Sequence, residues 1–503
     1  MLFERKKIHM KKIITLLLIA TMATSLVACG TTNKDEKEPT TTKATEPQTE
    51  EETKEPEHKQ IDTKGQYELA GTIENGAILH AWCWSFNTIK ENMEEIAKAG
   101  YTSIQTSPIN EVKVGENGGM QIQDTEYSKN KGKWYYHYQP TDYKIGNYQM
   151  GTKEEFSAMC KEADKYEISI IVDAVVNHMT GDKMAISENI WDITKEPFHT
   201  NGDITDFSNR EQVTQNVLLG LSDLNTQDDA IAEYVLKFLE ECVDAGADGF
   251  RYDAMKHVEL QDDDKSFASN YWKKILDNGS KFQYGEILQG GADRARSYVE
   301  QLDVSMTASK YGESIRYSVL NRDLSTVLWK NYSADVAENK LVTWVESHDN
   351  YCNDSNYAHM DEQGVKWAWA LITARSGGTP LFFSRPAGAD MENQWGNNVI
   401  GEAGSDLYKD AEVVAVNKFR NHMAGLEETL SNPMESTEIA MIERGDRGAV
   451  IIHVNDEEDV KLKDVATVLA DGTYKDAVTG AEFVVKNGKL NGELKASQIV
   501  TLY

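Results

Sequence analysis

Short apolar runs alternate with amphipathic stretches along most of the chain, beginning near residue 76. The apolar runs are rich in Val, Ile, Tyr and Phe and are bounded by turn residues, which is typical of buried strands. The stretches between them, such as "NTIKENMEEIAKAG", place apolar residues at helical spacing. Eight strands are predicted, at residues 77–82, 101–107, 168–177, 247–253, 282–286, 304–308, 341–347 and 379–384.

Eight strand-helix units in series predict an α/β fold, a (β/α)8 TIM barrel over residues 71–430, with an open doubly wound sheet as the alternative. Two connections are too long for plain barrel loops. Residues 179–222, after the third strand, predict an inserted subdomain, and residues 108–152 are expected to lie over the top of the barrel. Short strands separated by turn residues predict a C-terminal antiparallel β-domain, a β-sandwich, over residues 431–503.

The first 28 residues carry the features of an export signal. Five Lys and Arg residues precede the apolar run "IITLLLIATMATSLVA", which is shorter than the roughly 20 residues that span a bilayer. The following "LVACG" resembles a bacterial lipobox, so Cys29 is expected to be lipidated and to anchor the protein at the extracellular face of the cell membrane. Ordinary cleavage and secretion is the alternative. Residues 29–70, rich in Thr, Glu, Lys and Pro, predict a disordered tether.

The charge of the chain narrows the class of ligand. A net charge of -30 argues against nucleic acid and against an electrostatic grip on anionic lipid, whereas a neutral ligand such as a sugar fits. Apart from Cys29, the cysteines are Cys83, Cys160, Cys242 and Cys352, too widely spaced for a zinc pattern. They predict buried thiols, and a disulfide stays open for an exported protein. Nothing indicates an obligate oligomer, so a monomer is expected.

Polar side chains gather at the ends of four predicted strands, where a TIM barrel carries its active site. A single ion pair or loop cap would explain any one of them. Three acids at the ends of the fourth, fifth and seventh strands favour chemistry, because burying that many carboxylates costs stability. The residues concerned are Asp173, Asn177 and His178, then Arg251, Asp253, Lys256 and His257, then Glu286, and finally Glu346, His348 and Asp349.

Cleavage of a glycosidic bond is the chemistry that needs such carboxylates without redox or phosphate-binding motifs. Arg251 and Asp253 lie on one face of their strand, so Arg251 is expected to keep Asp253 ionised as the nucleophile. Glu286 has no neighbouring Arg in the sequence and would face the charge of Asp253. Its pKa is therefore expected to be raised, as suits a general acid that later acts as base. Asp349 can accept hydrogen bonds from sugar hydroxyls and help distort the ring.

Four stretches then resemble the signature regions of the α-amylase family of glycoside hydrolases. They are "DAVVNH" (173–178), "GFRYDAMKH" (249–257), "YGEIL" (284–288) and "VESHDN" (345–350). Longer segments, such as "HAWCWSFNTIKENM" and "GGTPLFFSRP", are similar to saccharifying-type secreted bacterial α-amylases, and the resemblance covers roughly residues 76–503. It implies endo-acting, retaining hydrolysis of α-1,4-glucosidic bonds in starch and related α-glucans, with Asp253, Glu286 and Asp349 in the roles given above.

The resemblance also implies the residues that surround the three acids. His178, Arg251 and His348 would line the subsite of the cleaved sugar, Lys256 and His257 the leaving-group side, and Tyr135 and Gln139 the sugar-donor end. One structural Ca²⁺ is implied between the barrel and its insertion. Its ligands would be the side chains of Asn177 and Asp223 and the main-chain carbonyls of Thr214 and His257.

The chain also departs from the family pattern. Gly290 and Gly291 stand where relatives often carry larger side chains, which puts the leaving-group subsites in doubt. No Arg follows shortly after "HDN", so activation by chloride is not expected. A transglycosylase or debranching enzyme of the same family is one alternative. A non-catalytic glucan-binding lipoprotein is another, but that class is expected to have lost a catalytic acid, whereas all three are present.

Overall fold

Eight parallel strands close into a barrel in the order in which they follow along the chain. The computed structural model describes residues 63–115, 119–123, 133–353 and 360–503. The strands are β1 (Ile78–Ala81), β2 (Ser103–Thr106), β3 (Ser169–Ala174), β4 (Gly249–Tyr252), β5 (Phe282–Gly285), β6 (Ser305–Thr307), β7 (Leu341–Trp344) and β8 (Thr379–Phe383). The last strand pairs with the first, as Leu381 lies opposite Ile78. The predicted TIM barrel is therefore confirmed, and the open sheet is excluded.

Helices cover the outside of the barrel because each strand sends alternate side chains outward. From β4, Phe250 and Tyr252 point to the helices, and the Tyr252 ring meets the Trp272 ring edge-on with 5.3 Å between centroids. The helices are Phe86–Glu91, Met93–Lys98, Lys153–Lys165, Asp229–Asp244, Tyr271–Ile275, Ala295–Leu302, Ser309–Leu320, Thr326–Trp329, His348–Asn353, Glu362–Thr373 and Ala411–His422.

Local sequence signals set where these helices begin. Thr152 and Glu155 form a capping box at the start of Lys153–Lys165, each side chain accepting the other's backbone N–H. Asp228 caps the longest helix, Asp229–Asp244, by accepting the N–H of Ala230 at 2.9 Å. Lys153–Lys165 leads into β3, which carries Asp173, and Asp229–Asp244 leads into β4, which carries Arg251.

The two long connections lie at the carboxyl ends of the strands. After β2 the chain forms a small sheet from Asn110–Val112, Pro140–Asn147 and Gly151–Thr152. After β3 an antiparallel pair, His178–Met179 with Ser222–Asp223, closes the predicted insertion at its base. Between these strands lie two short helices, Glu188–Trp191 and Arg210–Gln215.

The C-terminal domain consists of two antiparallel sheets with a shared apolar core. Its strands are β9 (Glu428–Ser431), β10 (Ile439–Arg444), β11 (Gly448–His453), β12 (Val460–Ala466), β13 (Gly472–Lys475), β14 (Glu482–Lys486), β15 (Lys489–Leu494) and β16 (Ile499–Leu502). One sheet has the order β9-β10-β11-β16 and the other β12-β15-β14-β13. Buried Arg375 joins this domain to the barrel by a two-pronged ion pair with Glu428, at 2.8 and 2.9 Å.

The end of the predicted tether is folded, so that part of the prediction is wrong. Thr63–Lys64 and Leu69–Ala70 pair as a small hairpin, and the N–H of Ala70 donates to Asn421 Oδ1 at 3.3 Å. Two apolar side chains of this hairpin are buried against the barrel, which offsets the entropy lost on ordering it. The predicted signal, Cys29 and the rest of the tether lie outside the described residues.

The remaining cysteines are free thiols: Cys83, Cys160 and Cys242 are buried, and Cys352 is partly exposed. The disulfide that the sequence left open does not occur among them. Within the described ranges, no helix has both the length and the apolar character needed to cross a membrane.

Candidate active site

Arg251 lies at the centre of a cluster of carboxylates at the mouth of the barrel. Strand register places it beside Asp173 of β3 and Tyr284 of β5. Its Nη1 donates to Asp173 Oδ1 and to Asp253 Oδ1, both at 2.7 Å, and its Nη2 lies 2.9 Å from Glu286 Oε2. One buried guanidinium thus pairs with three carboxylates, of which the sequence pointed only to Asp253.

This sharing reverses the expected pKa order of the two acids. Burial raises the pKa of Asp253, although Arg251 acts in the opposite direction. Glu286 is partly buried, with 17% of its side chain exposed, but Arg251 and a backbone hydrogen bond outweigh the effect of burial and hold its pKa below the usual value. The prediction of a raised pKa for Glu286 is therefore wrong for the free site. The sequence did not show this because Arg251 is distant from Glu286 along the chain. In the structure Arg251 lies on β4, the strand next to the one that leads to Glu286.

The backbone next to Asp253 adopts an unusual conformation and donates a hydrogen bond to Glu286. Ala254 has φ +49° and ψ +32°, a left-handed conformation that residues other than glycine rarely adopt. In this conformation the Ala254 N–H donates to Glu286 Oε2 at 3.0 Å. Strained backbone at a catalytic position is a recurrent feature of active sites, because the surrounding fold holds a group where the chemistry needs it.

Asp349 completes the set of acids from the far side of the cleft. It follows β7 in the helix His348–Asn353, and 48% of its side chain remains exposed. Desolvation in the cleft, followed by the negative charge of Glu286, raises the pKa of Asp349 to about 8. Because the side chain is half-exposed, we attribute more of this shift to the neighbouring negative charges than to desolvation. A proton is therefore held among these carboxyls at neutral pH.

Two histidines flank the acids in their neutral form. His178 Nε2 lies 4.0 Å from Asp253 Oδ2, and His348 Nε2 lies 3.5 Å from Asp349 Oδ2. Burial lowers the pKa of His178, and burial followed by the charge of Arg251 lowers that of His348 to about 3. A neutral imidazole can donate one hydrogen bond and accept another, which suits contact with sugar hydroxyls.

Tyr138 is a residue of this site that the sequence did not single out. Its hydroxyl donates to Asp173 Oδ2 at 2.8 Å, and its ring stacks on His348 with 4.9 Å between centroids. It therefore orients both Asp173 and His348. The available signal was its place in "WYYHYQP", beside Tyr135, but the sequence did not distinguish it from its aromatic neighbours Trp134 and Tyr136.

The cleft beside these acids has a volume of about 540 Å³. Tyr135, Gln139, Lys256 and His257 all line it. All of the predicted substrate-binding residues except Arg251 line this cleft. Arg251 instead borders the adjoining cavity of about 290 Å³, which shares Glu286, His348 and Asp349 with the cleft.

Lys256 has a partner that explains one departure from the family pattern. Its Nζ lies 3.2 Å from Oδ1 of buried Asp293, and the Gly290 N–H donates to Asp293 Oδ2 at 2.8 Å. A Cβ at position 290 would lie 3.0 Å from that oxygen, which is a tight approach. The glycine thus lets the loop close over Asp293, which positions the Lys256 ammonium at the cleft.

Glu346 does not belong to the cleft, contrary to the expectation from its place after β7. Its carboxylate is buried and forms an ion pair with Arg385, whose Nε donates to Glu346 Oε2 at 2.8 Å. This is a structural pair with both charges compensated.

The predicted calcium ligands come together in two pairs at the base of the insertion. Asp223 lies opposite His178 in the antiparallel strands, which places it next to Asn177. His257 Nδ1 lies 2.8 Å from the carbonyl oxygen of Val213, which brings the backbones of Thr214 and His257 close together.

The catalytic part of the chain matches a known family. Residues 85–372 match the family model described as the alpha amylase catalytic domain. An alpha-amylase of Butyrivibrio fibrisolvens is 41% identical over 473 residues, covering 86% of this chain and 47% of the relative. One of Clostridium acetobutylicum is 37% identical over 449 residues, covering 87% of this chain and 55% of the relative. The chain spans about half the length of these curated relatives.

Solved structures share the architecture. Alpha-amylase I from Eisenia fetida aligns with a TM-score of 0.68 at 19% identity, covering 85% of this chain and 97% of that one. An Anoxybacillus alpha-amylase aligns with a TM-score of 0.66 at 18% identity, covering 86% and 98%. At this level of identity the likeness establishes the fold. The family match over residues 85–372 and the 41% identity to a curated relative show that this chain belongs to the alpha-amylase family.

Proposed function

We propose that this protein hydrolyses α-1,4-glucosidic bonds inside starch and related α-glucans, with retention of configuration at the anomeric carbon. The observation that supports this proposal most directly is that the Arg251 guanidinium contacts both Asp253 and Glu286. Carboxylates held by neighbouring nitrogens of one guanidinium lie close together, as a retaining mechanism requires; an inverting mechanism needs room for a water between them.

In this mechanism Asp253 attacks the anomeric carbon, and Glu286 protonates the leaving oxygen and later deprotonates water. In the free site the pKa of Asp349 is raised to about 8, whereas Arg251 and the Ala254 N–H lower the pKa of Glu286. These carboxyls interact, so the proton can pass to Glu286 as a substrate binds. Asp349 then becomes an ionised hydrogen-bond acceptor for sugar hydroxyls beside the developing positive charge.

The cleft supports cleavage within a chain. Tyr135, Gln139 and Lys256 all line the cleft that contains Asp253 and Glu286. The resemblance puts Tyr135 and Gln139 at the sugar-donor end and Lys256 on the leaving-group side, so sugars on both sides of the scissile bond would find contacts. A flat apolar ring such as that of Tyr135 suits the face of a pyranose.

Product analysis tests the proposal. Soluble starch should yield maltooligosaccharides of mixed length, whose new reducing ends appear first in the α configuration by NMR. Pullulan should lose only its α-1,4 bonds. Cyclic products or cleavage of α-1,6 bonds would instead favour a transglycosylase or a debranching enzyme. No hydrolysis by a folded protein would favour a glucan-binding protein.

We also propose that one Ca²⁺ braces the insertion against the barrel. The side chains of Asn177 and Asp223 and the carbonyls of Thr214 and His257 are hard oxygen donors of the kind that Ca²⁺ prefers. Asp223 is buried, and burial raises its pKa to about 7 even though His199 Nδ1 lies 2.7 Å from its Oδ2, so a cation beside it would further stabilise the carboxylate. Across the described ranges, no cluster of three or more His, Cys, Asp or Glu side chains could hold a metal. A site here would therefore depend on amide and carbonyl oxygens.

Chelation is expected to lower the thermal unfolding temperature and the activity together, because the ion would join the insertion to the segment after Asp253. Differential scanning calorimetry with and without EDTA, followed by addition of Ca²⁺ or Mg²⁺, measures this. Asp223→Asn should lower the unfolding temperature and make it insensitive to EDTA. Unchanged melting of the wild-type protein in EDTA would contradict the calcium site.

A further inference from the structure

Arg385 connects the ends of two neighbouring barrel strands. β7 and β8 run side by side, with Trp344 opposite Leu381, and Glu346 and Arg385 each lie two residues beyond their strand. The Arg385 Nε donates to Glu346 Oε2 at 2.8 Å, and its Nη2 donates to Glu346 Oε1. The two side chains are 8% and 2% exposed. The pair therefore fixes the carboxyl end of β7 against β8 in the interior of the protein.

The same guanidinium also contacts the helix that carries Asp349. It lies over the Tyr351 ring, with 5.4 Å between its central carbon and the ring centroid. Tyr351 is buried, and its hydroxyl donates to the Gln394 carbonyl at 2.6 Å. Arg385 thus contacts the chain on both sides of Asp349, three residues before it and two residues after it.

Asp349 depends on this backbone for its position. Its side chain is half-exposed, and its carboxylate lies 3.4 Å from Asn353 Nδ2 and 3.5 Å from His348 Nε2. Contacts at these distances are weaker than hydrogen bonds of ordinary length. The carboxylate is therefore placed mainly by the segment from which it extends.

Stability alone does not account for a buried ion pair at this place. Desolvation of two charges offsets much of their attraction, so apolar residues of similar volume often stabilise a fold equally well or better. An ion pair adds geometry instead, because a guanidinium and a carboxylate joined by two hydrogen bonds hold one relative orientation. Here that orientation sets the start of the segment that leads to Asp349.

We propose that Arg385 and Glu346 are positioning residues, which hold the Asp349 carboxylate where the positive charge of the transition state develops. The proposal rests on the proposed hydrolase function, in which Asp349 stabilises that charge. A displacement of about 1 Å at a catalytic group can lower a rate about 100-fold. Arg385 and Glu346 act through Asp349 and not on the substrate itself.

Arg385→Lys tests the proposal, because an ammonium keeps the charge but cannot reproduce the planar guanidinium. On starch, kcat should fall about 10- to 100-fold while KM changes little. A maltooligosaccharide analogue with a positively charged imino-sugar ring at the cleaved position resembles the transition state. Its Kd should rise by about the factor by which kcat falls, whereas the Kd of maltotriose should stay near the wild-type value. Equal weakening of both ligands would contradict the proposal.

The double variant Arg385→Met with Glu346→Leu separates positioning from stability. It removes both buried charges together and leaves apolar side chains of similar volume, so it should unfold near the wild-type temperature or above it. Its kcat on starch should nevertheless stay low, since the two-pronged contact is gone. Recovery of the unfolding temperature together with wild-type kcat would overturn the proposal.

Arg375→Lys is the matched control. Arg375 is also buried, pairs with Glu428 through two nitrogens and lies 4.5 Å from the centroid of the Tyr332 ring, but it joins the barrel to the C-terminal domain. The control should lose thermal stability and keep wild-type kcat. Equal losses of kcat in Arg375→Lys and Arg385→Lys, or wild-type kcat in Arg385→Lys, would overturn the positioning role. A wild type that does not hydrolyse starch would instead remove the proposed function itself.

Discussion

Glu286→Gln is expected to lower the rate of starch hydrolysis by a factor of about 100 to 10,000, the usual contribution of a general acid or base. Gln has nearly the same shape as Glu but carries no acidic proton. Its amide oxygen can still accept hydrogen bonds from Arg251 and from the Ala254 N–H, which are the contacts that Glu286 makes. The variant should therefore fold normally while losing both proton-transfer steps.

Two substrates separate this effect from a general loss of binding. On starch, the variant needs a proton that it cannot supply, so kcat should fall much more than KM changes. An aryl maltooside whose phenolate leaves without protonation should lose less rate in the first step. Glu313→Gln, on the exposed face of the helix Ser309–Leu320, controls for the substitution itself and should keep wild-type rates. A Glu286→Gln variant with near wild-type kcat on starch would refute the assignment of this acid.

Arg251→Met is expected to destabilise the fold by about 3–5 kcal/mol at neutral pH, the usual cost of leaving buried charges without their partner. Met roughly preserves the volume of the side chain but removes the charge that Asp173, Asp253 and Glu286 share. The rate of starch hydrolysis should also fall. Without Arg251 these carboxyls would take up protons, and Asp253 would lose the ionised form in which it acts as a nucleophile. Chemical denaturation measures the free energy of unfolding.

The pH dependence of this loss has a definite sign. Without Arg251 the carboxyls have higher pKa values in the folded protein than in the unfolded chain. The folded state then binds more protons, so its stability rises as the pH falls from the folded values toward the ordinary value near 4. The penalty of Arg251→Met should thus be smaller at pH 5 than at pH 8. Adding Asp173→Asn should restore part of the stability.

Arg296→Met provides the matched control. Arg296 pairs with Glu300 and Asp335, but its side chain is 60% exposed. Water screens such pairs, so the substitution should cost less than about 1 kcal/mol. Equal losses for Arg251→Met and Arg296→Met would show that the central guanidinium does not hold the carboxylate cluster together.

The sequence alone determined the architecture of this protein and the approximate place of its acids. Strands and helices repeat with periods of two and about 3.6 residues, so β4 could be recognised and Asp253 placed at its carboxyl end. The same alternation predicted that Phe250 and Tyr252 face the helices while Arg251 faces the mouth. These features could be predicted because they depend on residues that are close together in the sequence.

Only the tertiary structure decided which charges meet. Arg251 forms an ion pair with Glu286 as well as with Asp253. Glu346 pairs with Arg385, and Lys256 pairs with Asp293. Each of these pairs joins residues far apart in sequence, and ion pairing depends on distances of a few ångströms that no local pattern encodes. The pKa values follow from the same contacts. The raised pKa expected for Glu286 is absent for this reason, because the guanidinium that lowers it comes from another strand.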